Sequence, residues 1–147
     1  MSNDAQVKEG SWYVQIDPPE SEVNALRHQL LLDNRAKVEH HDDEIAMAIF
    51  LRDEDKDLLA GISGYLWGAT LEIHCLWVSE RLRDQGIGSR LVLAIEQEAA
   101  ERGGSTAITN TYSFQAPEFY AKLGYETFGI IPGFGNRFQK YFLRKTL

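Results

Sequence analysis

The chain has 147 residues, a length that fits one domain with its own hydrophobic core. A formal net charge of −7 lacks the surplus of Lys and Arg that phosphate contacts require, which argues against nucleic acid as a partner. Residues 1–10 lack the apolar stretch of a secretory signal, no apolar run approaches the ~20 residues of a membrane-spanning helix, and the single cysteine excludes an internal disulfide, so we expect a cytoplasmic protein without a membrane partner.

Hydrophobic periodicity and turn residues predict a single domain over residues 1–147. The predicted elements, in chain order, are a short strand at 12–17, an amphipathic helix from 20 to about 40, strands at 46–51, 58–67 and 71–78, a helix at about 86–102, a strand at 106–112, a short helix at 117–123, and closing strands at 125–131 and 138–143. This order predicts an α+β fold. Its sheet is mixed and mostly antiparallel, has about six to seven strands flanked by helices, and contains one parallel β-α-β crossover through the 86–102 helix.

The strand at 71–78 carries side chains capable of chemistry. Strict alternation puts Glu72 and His74 on one face and places Cys75 on the other, beside Ile73 and Trp77. We therefore expect Cys75 to be a buried, inert thiol and not a nucleophile.

A glycine-containing loop follows this strand and precedes the next helix. The pattern is Arg83-x-x-Gly86-x-Gly88, which places backbone N–H groups at the positive end of a helix, where glycines let a phosphate or pyrophosphate approach closely. A dinucleotide fingerprint needs a third glycine where this chain has Leu91, and a nucleotide-triphosphate loop needs Gly-Lys-Ser/Thr, which this sequence lacks. On these residues alone, a tight turn and close packing are the favoured role of the two glycines, since glycine routinely serves such turns.

Two stretches resemble motifs of the GNAT superfamily of N-acetyltransferases. Residues 76–89 (LWVSERLRDQGIGS) are similar to its central motif, a strand followed by Arg/Gln-x-x-Gly-x-Gly/Ala and a helix. Residues 116–125 (APEFYAKLGY) are similar to its A-x-x-F-Y-x-K-x-G-F/Y helix, and the ending YFLRK resembles small bacterial members of largely unassigned substrate. The resemblance implies transfer of the acetyl group of acetyl-CoA to a primary amine of a small molecule or peptide by direct nucleophilic attack. A non-catalytic acyl-CoA-binding sensor or interaction module is the alternative.

The resemblance assigns one set of residues to acetyl-CoA. Loop amides would hold the pyrophosphate, with Arg83 as a charge partner and the Asp84 side chain turned to solvent. The strand end near Leu76 and Trp77 is expected to splay from the strand at 106–112, so that the pantetheine arm lies in the gap and a main-chain N–H polarises the thioester carbonyl. For the Trp77 side chain itself we expect core packing, given the preference of aromatic side chains for the core. The full set is Leu76, Trp77, Val78, Arg83, Asp84, Gln85, Gly86, Ile87, Gly88, Ser89, Asn110, Ser113 and Tyr120.

The resemblance also implies catalytic residues. Tyr120 is the candidate general acid, because a positioned phenol can protonate the departing coenzyme A thiolate; packing within its helix is the alternative role. Glu72 and His74 are the candidate bases for the attacking amine, and the sequence does not choose between them. The family often has an asparagine where this chain has Ser113, and nearby Asn110 is the other candidate for contact with the pantetheine arm.

Metal binding and assembly have weaker signals. The run His40-His41-Asp42-Asp43 fits a solvated loop better than a closed ligand shell, so we predict no metal. Family members often form dimers, sometimes through the C-terminal strands, and the sequence leaves the oligomeric state open.

Overall fold

The computed structural model describes Gly10, residues 14–38 and residues 44–147. The chain divides into two compact units, Met1–His41 and Asp42–Leu147. Within residues 14–38 and 44–147, no helix combines the length and the apolar character that a membrane-spanning helix needs.

The first unit contains one helix, α1 (Glu20–Lys37), among its described residues. It begins directly after Pro19, whose fixed φ suits a helix start. Acidic residues lie in its first turn and basic residues in its last turn, which is the order that the helix dipole favours. The helix predicted from residue 20 is confirmed, and it ends where Val38 becomes extended.

The short strand predicted at 12–17 is wrong over residues 14–17, and its first two residues lie outside the described part of the chain. The structure has coil and a bend here, with Val14 and Ile16 largely exposed. Asp17 adopts φ +50°, in the left-handed region, which interrupts an extended backbone immediately before Pro18.

The second unit is built on a six-stranded sheet of order β1-β2-β3-β4-β6-β5. Its strands are β1 (Ile45–Arg52), β2 (Leu58–Trp67), β3 (Thr70–Val78), β4 (Thr106–Tyr112), β5 (Glu126–Phe134) and β6 (Phe138–Thr146), and its helices are a 3₁₀ turn (Glu80–Leu82), α2 (Ile87–Glu101) and α3 (Pro117–Lys122). β3 and β4 are parallel, joined through α2, and the other neighbouring strands are antiparallel. The predicted mixed sheet with one parallel crossover is therefore confirmed.

The hydrophobic core of this unit lies between one face of the sheet and α2. The largest fully buried side chains come from β2, β3, α2 and β6, and they are Ile62, Leu71, Ile73, Val92, Ile95 and Leu143. We call this the core face of the sheet. The opposite face, here called the second face, presents exposed side chains such as Tyr65 and Trp67 of β2, which alternate with buried Leu66.

A β-bulge in β3 changes which side chains reach each face. Ser63 pairs with Cys75, whereas the next residue of β2, Gly64, pairs with Ile73, so His74 is an extra residue in β3. Beyond the bulge, Leu76 and Val78 pack against the core, and Cys75 and Trp77 are exposed.

The bulge overturns two predictions, one of which depended on strict alternation and the other on the core preference of aromatic residues. Cys75 is an exposed thiol and not a buried one. Trp77 is 47% exposed, so core packing is wrong for this side chain. Glu72 and His74 do share a face, as predicted, since Oε1 of Glu72 lies 3.3 Å from Nε2 of His74.

Candidate active site

β3 and β4 pair for only part of their length and then separate. Their parallel register covers Thr70 to Glu72 of β3 and ends there. One further link crosses the gap, because the Thr109 hydroxyl donates to the Ile73 carbonyl at 3.1 Å. The predicted splay is thus present. Beyond Ile73, the edge of β3 that faces β4 has no strand partner among the described residues, so its main-chain groups are available to an extended ligand.

A cleft of about 210 Å³ opens where the strands separate. Its walls are the bulged part of β3, the end of β4 and the first residues of α3. The lining residues are Ile73, His74, Cys75, Leu76, Thr109, Asn110, Thr111, Gln115, Ala116, Phe119 and Tyr120. The cleft therefore brings four predicted site residues together: His74, Leu76, Asn110 and Tyr120.

The glycine loop has two residues in the left-handed region just before α2. Asp84 and Gly86 have φ values of +59° and +75°, and α2 begins immediately after Gly86. Gly86 has no side chain to cap the helix, so first-turn amides stay available, which is the arrangement that binds anions. A Cβ built on Gly86 meets no atom within 4 Å, so the main chain is open to a ligand on that side.

Gly88 has a packing role. A Cβ on it would lie 3.3 Å from Cζ of Phe119 and 3.8 Å from Cγ2 of Val78. Its lack of a side chain therefore lets the first turn of α2 approach α3 and the end of β3. The sequence left two roles for these glycines, close packing and access for a ligand. Gly88 serves close packing, and Gly86 faces open space that a ligand can enter.

Side chains of the loop hold its backbone in place. Nε of Arg83 donates to the Val78 carbonyl at 3.3 Å, and Nε2 of Gln85 donates to the Arg81 carbonyl at 3.1 Å. Arg81 in turn lies near Asp53 of the β1–β2 turn, at 3.6 Å. The Asp84 side chain is exposed.

Tyr120 is buried in the wall of the cleft, with 6% of its surface exposed. Its ring packs edge-on against Phe119 and Tyr125, with centroid distances of 5.0 and 5.4 Å. Burial raises the pKa of the phenol, contact with the Thr109 hydroxyl offsets part of this rise, and the nearby Cys75 adds to it. The phenol is therefore protonated at neutral pH, as a general acid must be.

Glu72 and His74 lie on the second face, and both side chains are about half exposed. The His74 ring also packs edge-on against Tyr65, at a centroid distance of 4.9 Å. Because His74 lines the cleft as well, an imidazole on one side of the gap and a phenol on the core side border the same space. That arrangement can deprotonate one group and protonate another across a single reacting centre.

Asn110 and Ser113 have different surroundings. The Ser113 hydroxyl accepts a hydrogen bond from the Gln139 amide at 3.1 Å, which ties the end of β4 to β6. Asn110 lines the cleft and is exposed. The geometry favours Asn110 for contact with a ligand in the cleft.

Seven lining residues of the cleft were not predicted as site residues, and three of them are polar residues that form hydrogen bonds. Thr109 and Thr111 lie on the core face of β4, and Gln115 accepts hydrogen bonds from the Thr111 hydroxyl and the Tyr112 amide at 3.3 and 3.0 Å. Polar threonines at alternate, buried positions of a strand were the available signal, since a buried hydroxyl needs a partner.

The metal prediction receives no test from the run at 40–43, which lies outside the described residues. Within the described ranges, no three His, Cys, Asp or Glu side chains are grouped as a metal site requires.

Comparison with known proteins gives consistent matches. The profile of the Acetyltransferase (GNAT) family matches residues 11–125. A blasticidin-S acetyltransferase of Streptomyces morookaense is 34% identical over 95 residues, which are 64% of this chain and 70% of that protein. An acetyltransferase of Agrobacterium fabrum is 29% identical over 120 residues, or 81% and 87% of the two chains. A crystal structure of an acetyltransferase from Agrobacterium tumefaciens superposes with a TM-score of 0.82 and 25% identity, covering 95% of this chain and 100% of the other.

Proposed function

The chain belongs to the acetyltransferase (GNAT) family, and from this premise we propose that it transfers the acetyl group of acetyl-CoA to a primary amine of a small molecule or peptide by direct nucleophilic attack. One observation carries the proposal: an edge of β3 without a strand partner among the described residues borders the same cleft as the buried Tyr120 phenol, and Gly88 of the glycine loop packs on Phe119 in the wall of that cleft. Such a site suits a ligand with a pyrophosphate, an extended arm with amide groups and a leaving group that takes a proton. Acetyl-CoA has these parts in this order.

The loop at the start of α2 would hold the pyrophosphate. The open side of Gly86 gives an anion access to the amides of the first helical turn. Arg83 adds a positive charge next to the loop, while its Nε remains bonded to Val78.

The pantetheine arm would lie along β3 beyond Ile73 and pair with its main chain as a strand does. A main-chain N–H at Leu76 or Trp77 then polarises the thioester carbonyl. Asn110 is placed to donate a hydrogen bond to the arm from the β4 side.

The chemistry needs one base and one acid. His74 or Glu72, directly or through water, removes a proton from the acceptor ammonium, and the free amine forms a C–N bond with the carbonyl carbon. As the C–S bond breaks, the Tyr120 hydroxyl gives its proton to the sulfur, and the nitrogen of the new amide loses its extra proton to solvent. A proton from solvent then restores the Tyr120 hydroxyl. The products are the amide and free coenzyme A.

The test has a binding arm and a turnover arm. Calorimetry with acetyl-CoA measures donor binding, and release of free thiol across a panel of primary amines measures transfer. Tyr120→Phe should lower kcat by about 10²-fold or more while the Kd for acetyl-CoA stays within about threefold. Tyr141→Phe, which removes a phenol that donates to Gln139 outside the cleft, is the matched control and should keep wild-type turnover.

Each other outcome has a defined meaning. No binding at millimolar acetyl-CoA overturns the proposal. Binding without thiol release from any amine supports the acyl-CoA sensor instead, and full turnover by Tyr120→Phe removes this residue from the acid role.

A further inference from the structure

A second hollow lies on the second face of the sheet, next to the cleft. It has a volume of about 230 Å³ and is lined by Ala46, Met47, Ala48, Ser63, Gly64, Tyr65 and His74. His74 also lines the cleft, so the two spaces meet at this residue. The anion-binding loop belongs to α2, on the core face, whereas the hollow lies on the opposite face.

The floor and walls of the hollow follow from strand register. Ala46 pairs with Tyr65 and Ala48 pairs with Ser63, so these side chains share the second face. The small side chains make a flat floor, and Tyr65 and His74 stand beside it. The bulge creates this arrangement, since it inserts His74 between the rows of Tyr65 and Ser63.

The chemistry of the lining selects a class of occupant. Glu72 does not line the hollow, but it pairs with Tyr65 across the strands and its Oε1 lies 3.3 Å from Nε2 of His74. A carboxylate therefore lies next to two lining residues and attracts a cation. The exposed Tyr65 ring and the alanine floor suit a flat apolar group, and an aromatic ring beside a cation adds attraction. The volume is below the ~300–1,000 Å³ of sites for whole drug-sized ligands, so the hollow fits one moiety next to the amine.

We propose that this hollow binds the acceptor, and that the acceptor is a small protonated amine whose amino group is attached to a flat apolar or aromatic moiety. The inference rests on the proposed function. The flat moiety lies on Ala46 and Ala48 beside Tyr65, the ammonium lies near Glu72, and the amino group reaches the cleft past His74.

Binding can be mapped without turnover. With coenzyme A present, tryptamine is titrated into ¹⁵N-labelled protein, and spermidine and a tetrapeptide with a free N-terminus are titrated in parallel. We expect tryptamine to shift the amide signals of Ala48, Ser63, Tyr65 and His74, and to bind at least about tenfold more tightly than the other two probes. Shifts confined to other residues, no shifts at all, or equal affinity for the three probes overturn the inference.

A pair of variants separates the hollow from general damage. Ala48→Phe fills the floor and should raise the Kd for tryptamine at least about tenfold. Ala100→Phe adds the same side chain at an exposed position of α2 and should leave the Kd for tryptamine unchanged. If Ala48→Phe does not fold, Ala46→Leu on the same floor replaces it, and an unchanged Kd in the folded variant refutes the site.

The same samples distinguish the two proposals. Loss of acetyl-CoA binding by the wild-type protein is a failure of the proposed function. Normal acetyl-CoA binding, with amine probes that bind elsewhere, is a failure of the acceptor site alone.

Discussion

Lys145→Met should lower the free energy of unfolding by about 3 kcal/mol, because it leaves a buried carboxylate with one partner fewer. Nζ of Lys145 lies 2.6 Å from Oε2 of Glu96, and the Glu96 side chain is only 7% exposed. The other oxygen, Oε1, accepts from the Tyr125 hydroxyl at 2.8 Å. The methionine keeps the apolar stem of the lysine, so packing changes little.

The magnitude follows from burial. Removing one partner of a buried ion pair costs about 3–5 kcal/mol. Lys145 retains 19% exposure and Tyr125 still bonds the carboxylate, and both facts place the loss at the low end. For a chain of this size, 3 kcal/mol corresponds to a fall in Tm of roughly 6–12 °C.

A double-mutant cycle with Glu96→Leu, measured by urea unfolding at neutral pH, tests the reasoning. The double variant holds no unpaired charge and should lie within about 2 kcal/mol of wild type, although each single variant loses more. Lys140→Met is the control, because Nζ of Lys140 lies over the rings of Tyr112 and Phe142 and should account for less than about 1 kcal/mol. Strictly additive losses would refute the pairing.

Three further predictions concern the loop, the gap and alkaline pH. Gly86→Ala places a side chain at φ +75°, so it should lower the free energy of unfolding by about 1–2 kcal/mol and also weaken acetyl-CoA binding. Gly68→Ala, at φ +56° in the β2–β3 turn, should lower the free energy of unfolding and leave acetyl-CoA binding unchanged. Equal Kd values for the two variants in calorimetry contradict the anion-binding role. Thr109→Val removes the hydrogen bond that links β4 to β3 where the strands separate, and it should lower kcat about tenfold. Thr109→Ser keeps the hydroxyl and should have wild-type kcat. Wild-type turnover by the valine variant would show that this hydrogen bond does not support catalysis. Burial and the hydrogen bond to Glu96 raise the pKa of Tyr125 well above its usual value. Above about pH 10 the unfolded chain therefore loses a proton that the folded chain keeps. The free energy of unfolding then falls by up to ~1.4 kcal/mol per pH unit. Tyr125→Phe should make that fall shallower in thermal melts between about pH 9 and 11, and an unchanged slope argues against the shift.

Much of the second unit is predictable because its signals are local. The hairpin of β1 and β2, the crossover through α2 and the glycine loop all follow from periodicity and turn residues within short windows. The strand limits at the C-terminus were set too short, since β5 and β6 extend to Phe134 and Thr146. Their ladder continues through bulges that a count of alternating residues does not show.

The bulge in β3 was not predictable from alternation, because an inserted residue in a run of mixed polarity leaves the run looking continuous. One residue did carry a signal. A Cβ on Gly64 would lie 2.2 Å from the Glu72 carbonyl oxygen, so this position in the middle of a strand requires glycine. A glycine inside a strand pattern indicates a bulge or a close backbone approach.

The ion pair was also outside the range of local patterns. Glu96 stands in a helix whose buried side chains are otherwise apolar, and its partner Lys145 is 49 residues away in sequence. Only the pairing of β4 with β6 brings the C-terminal lysine to α2. Polar residues on the buried face of a helix indicate that a partner exists and do not identify it.

In the proposed function, the extra residue in β3 lets one strand serve two ligands. Upstream of it, Glu72 projects to the side of the hollow; downstream, the free edge of β3 borders the cleft, and Leu76 and Val78 are anchored in the core. If the hollow binds the acceptor as proposed, a substitution on the second face at β1 or β2 should alter which amine is accepted and leave the proposed donor surface undisturbed. Under that proposal, the sheet can change its acceptor over evolutionary time while its acetyl donor stays constant.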